Sequence, residues 1–197
     1  MLSQLPPPPP PDETGAVTVN ENEAEMVAVS CEAVSVCVPV AMLGTVMLVE
    51  LARQLKDAKP KRSILILHFG GEEEGLLGGK VLADYAVAQN WRVEANLNND
   101  IVGNTEGLSG VRDNTHVRVF SEGTRTTETQ AQADKRRYNG GEVDSPSRNL
   151  ARFMDGLADR YLTNFDVVMV YRTDRYGRGG DQVEMLKAGF PAVRVTE

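Results

Sequence analysis

Three polar clusters carry the side chains that could do chemistry in this sequence: Glu72-Glu73-Glu74, Asn98-Asn99-Asp100 and Arg178-Gly179-Gly180-Asp181. Each follows a segment that predicts a buried strand, and the ligands of open α/β sheets gather at the carboxyl ends of the strands. Carboxylates that converge in a cleft repel one another, and a divalent cation is the usual counter-charge. The clusters therefore predict a metal site with acidic ligands.

The adjacent residues Glu72 and Glu73 could divide two tasks between them. In a turn that begins a helix, one carboxylate can ligate a metal while its neighbour reaches the attacking water and acts as general base. Acidic residues in the first turn of a helix are also favoured by the helix dipole alone, and we interpret Glu74 as such a residue. Asn98-Asn99-Asp100 could likewise be a strand-ending turn and helix cap. The hypothesis of a catalytic site therefore depends on the clusters lying together.

The elements that must position these clusters alternate between strands and helices. This alternation predicts an α/β fold with a mainly parallel central sheet and helices on both faces. The predicted strands are Ser63–Phe69, Arg92–Leu97, His116–Phe120, Asp166–Tyr171 and Pro191–Val195. The predicted helices are Gly44–Ala58, Leu76–Gln89, Pro146–Tyr161 and Val183–Lys187. The apolar face predicted for the third helix consists of Leu150, Phe153, Met154, Leu157 and Tyr161.

The amino-terminal part of the chain differs in composition from the rest. Residues 1–25 contain six consecutive prolines and an acidic stretch, which predict an extended, disordered tail, and residues 26–197 would form a partial domain. Alternating valines predict a strand over residues 27–40. A membrane helix over Ala33–Val49 is an alternative, but Pro39, Gly44 and the lack of flanking basic residues favour a buried strand followed by a helix.

Composition excludes several classes of function. The 197 residues carry a net charge of −7 and no basic run interleaved with aromatic residues, so nucleic acid is not an expected partner. The spacing of Cys31 and Cys37 matches neither a redox motif nor a zinc ribbon. The first residues show no signal-peptide pattern, and the sequence assigns neither a localisation nor an oligomeric state.

Four ordered segments resemble the di-zinc aminopeptidases of clan MH, which include bacterial leucyl aminopeptidases and glutamate carboxypeptidase. Gly70–Ala83 is similar to the family's E-E-x-G-L-x-G-S segment, and Gly44–Leu55 resembles the helix that follows its bridging aspartate. Leu97–Asn104 resembles the third metal segment. Arg175–Glu197 resembles a bacterial R-G-G-D-H stretch that ends in A-V-R-x-T-E. The resemblance covers about residues 44–197.

The resemblance implies a zinc-dependent exopeptidase that removes amino-terminal residues from peptides, with a sandwich-like α/β fold and two zinc ions. Glu72 would be the general base, Glu73 would ligate one zinc and Asp100 the other. Asp181 would lie near the substrate. The family is often secreted or periplasmic.

The sequence departs from the family's pattern at several ligands. The bridging aspartate's turn reads Pro39–Gly44, no histidine precedes His68, and Gln182 replaces a histidine. His68 and His116 lie in predicted strands that do not match ligand positions. We therefore expect a domain truncated at both ends and weak or no activity, with leucyl-anilide turnover below about 1 s⁻¹. The alternatives are a non-catalytic, peptidase-like interaction domain and a glutaminyl cyclase-like acyl transferase with a single zinc.

Overall fold

The computed structural model describes residues 43–103, 106 and 109–197. The predicted tail over residues 1–25 and the predicted strand over residues 27–40 lie outside them. The chain divides into two compact units, Met1–Phe69 and Gly70–Glu197. Among the described helices, none has the length and apolar character needed to cross a membrane.

The first unit contains helix α1 (Leu43–Leu55), which confirms the helix predicted there. Its Ala52 is buried, whereas Val46 and Leu51 are exposed. The solvent-exposed face of α1 carries a bidentate ion pair, in which Arg53 donates to both carboxylate oxygens of Glu50 over 2.7 Å.

In its described residues, the second unit contains a four-stranded sheet and four helices. The strands are β1 (Asn96–Asn99), β2 (His116–Phe120), β3 (Asp166–Val170) and β4 (Ala192–Thr196). The helices are α2 (Leu77–Ala88), α3 (Gln130–Asn139), α4 (Pro146–Tyr161) and α5 (Gln182–Lys187). The strand order is β1-β4-β2-β3. β1 pairs with β4 and β2 with β3 in parallel, and β2 pairs with β4 antiparallel, so the sheet is mainly parallel, as predicted.

Helices cover both faces of this sheet, which confirms the predicted architecture. On one face, Val119, Val167 and Val193 pack with the α4 residues Ala151 and Ala158 in a buried cluster. Arg194 points to the opposite face, because side chains alternate along a strand. Helix α5 packs on β4 and β1 on that face, and α2 packs against α5.

The buried stripe of α4 differs from the predicted apolar face. Ser147, Arg148, Ala151 and Ala158 are buried, with Leu150 and Met154 half-buried beside them. Phe153 and Tyr161 are 63% and 70% exposed, and Leu157 is also exposed. Small residues face the sheet because they let the helix approach it closely, which apolar periodicity alone does not predict.

Two predicted strands differ from the structure. Ser63–Phe69 forms no strand, and in the described part of the chain no segment pairs with it; Ile64 and Leu65 are each 43% exposed. A run of apolar residues becomes a strand only when a neighbouring backbone completes its hydrogen bonds. Strand β1 begins at Asn96 and not at Arg92, because its partner β4 begins at Ala192, directly after Pro191.

Helix α3 was missed by the sequence analysis. Its signal is a capping box, in which the Thr129 hydroxyl accepts from the backbone N–H of Gln132 while the Gln132 side chain accepts from the backbone N–H of Thr129. None of its side chains is buried, so the apolar pattern that reveals the other helices is absent from it.

Candidate metal and active site

The acidic cluster at residues 72–74 lies in a tight turn that leads into α2. Gly71 adopts a φ of +74°, and the turn closes when the backbone N–H of Leu77 donates to Gly71 O over 3.0 Å. Glu72 is half-buried, whereas Glu73 and Glu74 are exposed. Because α2 begins at Leu77, Glu74 precedes the helix and is not in its first turn, contrary to our interpretation of this residue.

Asp100 follows β1 directly and is held on both its backbone and its side chain. Its backbone N–H donates to Val195 O over 3.0 Å, and its Oδ2 lies 3.0 Å from an Arg194 guanidinium nitrogen. Of the described helices, the next one along the chain begins at Gln130. Asn98 and Asn99 are the last two residues of β1 and Asp100 follows them, so this segment is the end of a strand and not a helix cap.

Asp181 immediately precedes α5 and joins that helix to α2. Its carboxylate accepts a hydrogen bond from the backbone N–H of Gly79 over 3.1 Å and is 8% exposed. A β-carbon on Gly79 would lie 2.8 Å from Asp181 Oδ1, so glycine is required for this approach. Burial raises the pKa of Asp181, the Gly79 hydrogen bond opposes that rise, and the charge of Asp100 adds to it.

Asp181 and Asp100 do not follow strands that end at the same edge of the sheet, contrary to the expectation from sequence. The carboxyl ends of β1 and β3 point to opposite ends of the sheet, because the parallel pairs β1/β4 and β2/β3 run antiparallel to each other. The loop after β3 returns along the sheet and seats Gly180 against Asn98 and Asp100. A loop, and not a shared sheet edge, assembles this part of the site.

The Glu72 carboxyl is affected by the charges of the other predicted site residues. Burial raises the pKa of the Glu72 carboxyl, and the charges of Glu73, Asp100 and Asp181 raise it further. The charge of Arg194 lowers it. The buried cation Arg194 therefore contacts Asp100, and the charges of Glu73, Asp100 and Asp181 all act on the Glu72 carboxyl.

Sequence analysis missed that cation and its second partner, Asp174. One nitrogen of Arg194 lies 3.0 Å from Asp100 Oδ2, and the other donates to Asp174 Oδ1 over 2.8 Å. Gln182 donates to Asp174 and accepts from Asn98 Nδ2 over 2.9 Å, so the residue at the family's histidine position has a structural role here. The sequence does contain a signal for this cation, because Arg194 lies between two valines of a predicted buried strand. A charge buried in that way requires a partner of opposite charge.

The carboxylates near Glu72 are a kind of ligand that divalent cations accept. Too few of them lie close together to complete a ligand set. Across residues 43–103, 106 and 109–197, only Asp155, Asp159 and Asp166 bring three ligand atoms within 4.8 Å of one another, and they lie on α4 and β3. His116 pairs with Asp113 over 2.9 Å at the start of β2, and His68 belongs to the unit Met1–Phe69. The described residues therefore supply carboxylates for part of a ligand set.

Comparison with known proteins places the chain among metallopeptidases. The sequence model described as peptidase family M28 matches residues 42–196. A probable zinc metalloprotease of Leptosphaeria maculans is 42% identical over 154 residues, which cover 78% of this chain and 36% of that protein. A probable zinc metalloprotease of Pyricularia oryzae is 40% identical over 156 residues, with 78% and 31% covered.

Two solved structures share the fold. The LapA aminopeptidase of Legionella pneumophila superposes with a TM-score of 0.53 at 21% identity, covering 78% of this chain and 34% of that one. BSAP, a zinc aminopeptidase from Bacillus subtilis, gives a TM-score of 0.51 at 22% identity, with 78% and 30% covered. The chain spans about a third of the length of the relatives it matches.

Proposed function

Because this chain belongs to peptidase family M28, we propose that its acidic locus is part of the active site of a zinc-dependent aminopeptidase. The family implies peptide substrates, and cleavage at the amino terminus is the finer assignment proposed here. The observation that carries the proposal is that Glu72 is half-buried and that the charges of Glu73, Asp100 and Asp181 all act on its carboxyl. Probable zinc metalloproteases as relatives and a zinc aminopeptidase as a structural neighbour support it.

Glu72 is suited to act as the general base. Its partial burial and the three neighbouring carboxylates favour the protonated form, so the carboxylate is a stronger proton acceptor than an exposed glutamate. It would take a proton from the attacking water at its carboxylate and return that proton to the leaving nitrogen. The turn closed by Gly71 and Leu77 fixes the position from which it does so.

Glu73 and Asp100 are the residues that would hold the metal. Both offer carboxylate oxygens, which zinc accepts together with imidazole and thiolate ligands. When bound, zinc polarises a carbonyl group and lowers the pKa of water. Asp181, whose carboxylate accepts a hydrogen bond from the backbone N–H of Gly79, would lie near the substrate.

Zinc stoichiometry tests this proposal. The purified full chain should retain zinc by elemental analysis after dialysis against a weak chelator, and Glu73→Ala and Asp100→Ala should lose it. Glu74→Ala is the matched control, because it removes another exposed carboxylate from the same turn and should leave the zinc content unchanged. A folded wild-type chain without zinc, or equal loss in the Glu74 variant, would overturn the proposal.

A non-catalytic, peptidase-like interaction domain is the second candidate. It is favoured by the ion pair between Asp100 and Arg194, which balances this carboxylate without a metal. If the chain is such an interaction domain, it should bind no zinc and show no leucyl-anilide turnover when folded. The Glu72→Gln variant should then bind a protein partner as tightly as the wild type does.

A further inference from the structure

The loop after β3 carries two arginines that a tight turn holds opposite each other. Arg175 and Arg178 form an antiparallel bridge, in which the backbone N–H of Arg178 donates to Arg175 O over 3.1 Å. The turn between them consists of Tyr176 and Gly177, and Gly177 has a φ of +69°, which favours glycine. Residues directly opposite in an antiparallel pair have their β-carbons about 4.5–5.5 Å apart on the same face. The turn therefore brings two positive charges together.

The protein does not compensate these two charges. Across residues 43–103, 106 and 109–197, no carboxylate pairs with the guanidinium of Arg175 or Arg178, and neither guanidinium donates a hydrogen bond. The acidic residue that precedes them in the chain, Asp174, is already paired with Arg194 over 2.8 Å. Like charges directly opposite each other destabilise an antiparallel pair. An anion that contacts both arginines would remove this repulsion.

The turn is attached to Asp100 through Arg194. The backbone N–H of Arg175 donates to Asp174 Oδ1 over 2.7 Å, and the carbonyl of Arg178 accepts from Arg194 at 3.5 Å. Arg194 in turn lies 3.0 Å from Asp100 Oδ2. Arg178 is exposed and Arg175 is half-buried, so a ligand can reach both from solvent. The uncompensated pair therefore lies beside a predicted site residue and is accessible.

We propose that Arg175 and Arg178 together bind a carboxylate of a peptide substrate. This inference rests on the proposed function, which makes a peptide the molecule that binds beside Asp100. A carboxylate presents two oxygens in one plane and can accept from both guanidinium groups, and hydrogen bonds between ionised partners are the strong ones. A polyanion is a poorer ligand, because the net charge of −7 repels a chain of phosphates.

The test measures the binding of four synthetic tripeptides to the full chain by isothermal titration calorimetry at low ionic strength. The free acid of Leu-Gly-Gly is compared with its carboxyl-terminal amide, which tests a terminal carboxylate. The amide of Leu-Gly-Glu is compared with the amide of Leu-Gly-Gln, which tests a side-chain carboxylate. In at least one pair, we expect the peptide that carries the carboxylate to bind about 10-fold more tightly than its neutral partner.

The variants Arg175→Gln and Arg178→Gln each remove one charge and keep a polar side chain. Each should reduce the preference for the carboxylate to about 3-fold, and the double variant should abolish it. The free energy of unfolding should not fall in either single variant, because each substitution relieves the repulsion between two like charges. Arginines with a purely structural role would give the opposite result, a lower stability with an unchanged preference.

Arg172→Gln is the matched control. Arg172 is exposed in the same loop, but its guanidinium carbon lies 5.3 Å from the centroid of the Phe120 ring. The variant removes the same charge and should keep the wild-type preference. Equal binding within both peptide pairs, a preference that survives the double variant, or an equal loss in the Arg172 variant would overturn the proposal.

The failure of this inference can be distinguished from the failure of the proposed function. Zinc retention and leucyl-anilide turnover without a preference for carboxylates would refute only the role of Arg175 and Arg178. A preference for carboxylates in a chain without zinc and without turnover would refute the proposed function and leave a carboxylate-binding site.

Discussion

Gly180 lies so close to Asp100 that a β-carbon built on it would stand 3.0 Å from Asp100 Oδ2. The same β-carbon would stand 2.8 Å from Asn98 Nδ2 and 2.8 Å from Gln182 Oε1. The backbone of Gly180 therefore packs directly against these three side chains, and a side chain at position 180 would have to displace one of them.

The substitution Gly180→Ala should disturb this contact. The added methyl group must displace Asn98, Gln182 or the Asp100 carboxylate, and overpacking of this kind costs about 1–3 kcal/mol. We expect a lower free energy of unfolding in urea and weaker zinc binding by the folded protein.

Gly156→Ala is the control for that substitution. Gly156 lies in α4, and no atom comes within 4 Å of a β-carbon built there. Alanine should raise stability by about 0.5–1 kcal/mol through helix propensity. Equal effects of the two variants would show that the contact at Gly180 is not tight.

Replacement of Glu72 by Gln separates catalysis from folding. If Glu72 is the general base, leucyl-anilide turnover should fall by about 10²–10⁴-fold. The free energy of unfolding of the metal-free chain should not fall, because the variant removes a charge that Glu73, Asp100 and Asp181 repel. Glu74→Gln should retain wild-type turnover, and a Glu72→Gln variant that retains it too would exclude Glu72 as the base.

The pH dependence of stability should reveal the charge on Asp174. Burial raises its pKa, but the hydrogen bonds from Arg175, Gly180 and Gln182 and the charge of Arg194 outweigh burial, so the net pKa lies below the usual value. A lowered folded-state pKa gives stability that is present above the unfolded-state value near 3.8 and is lost as pH falls through the folded value. Asp174→Asn should cost about 3–5 kcal/mol at pH 7 and less at pH 3, measured by urea unfolding.

Asp155→Asn provides a comparison of opposite sign. Burial and the charges of Asp159 and Asp166 raise the pKa of Asp155, so its ionised form destabilises the fold above the unfolded-state value. This variant should be more stable than wild type at pH 7, and the difference should vanish at low pH. A stability difference for Asp174→Asn that does not change with pH would contradict the ionised pair with Arg194.

Local signals in the sequence were sufficient to predict those helices and strands whose ends are clearly marked by residue type. Ser145 caps α4 by accepting from the backbone N–H of Arg148 over 3.0 Å, as the Ser-Pro pair predicts. Strand β2 has the predicted bounds, His116–Phe120. The resemblance to metallopeptidases also rested on short ordered motifs, and the family assignment confirms it.

Pairing and burial were decided by tertiary structure alone. Ser63–Phe69 has the composition of a strand but lacks a partner among the described residues, and α4 buries alanines where the pattern favoured Phe153 and Tyr161. The ion pairs of Arg194 join residues 94 and 20 positions apart in the chain, so no local pattern contains them. The sequence by itself determined which residues carry the carboxylates. Only the folded chain decided that one buried arginine holds two of them, because that choice depends on which distant segments the sheet brings into contact.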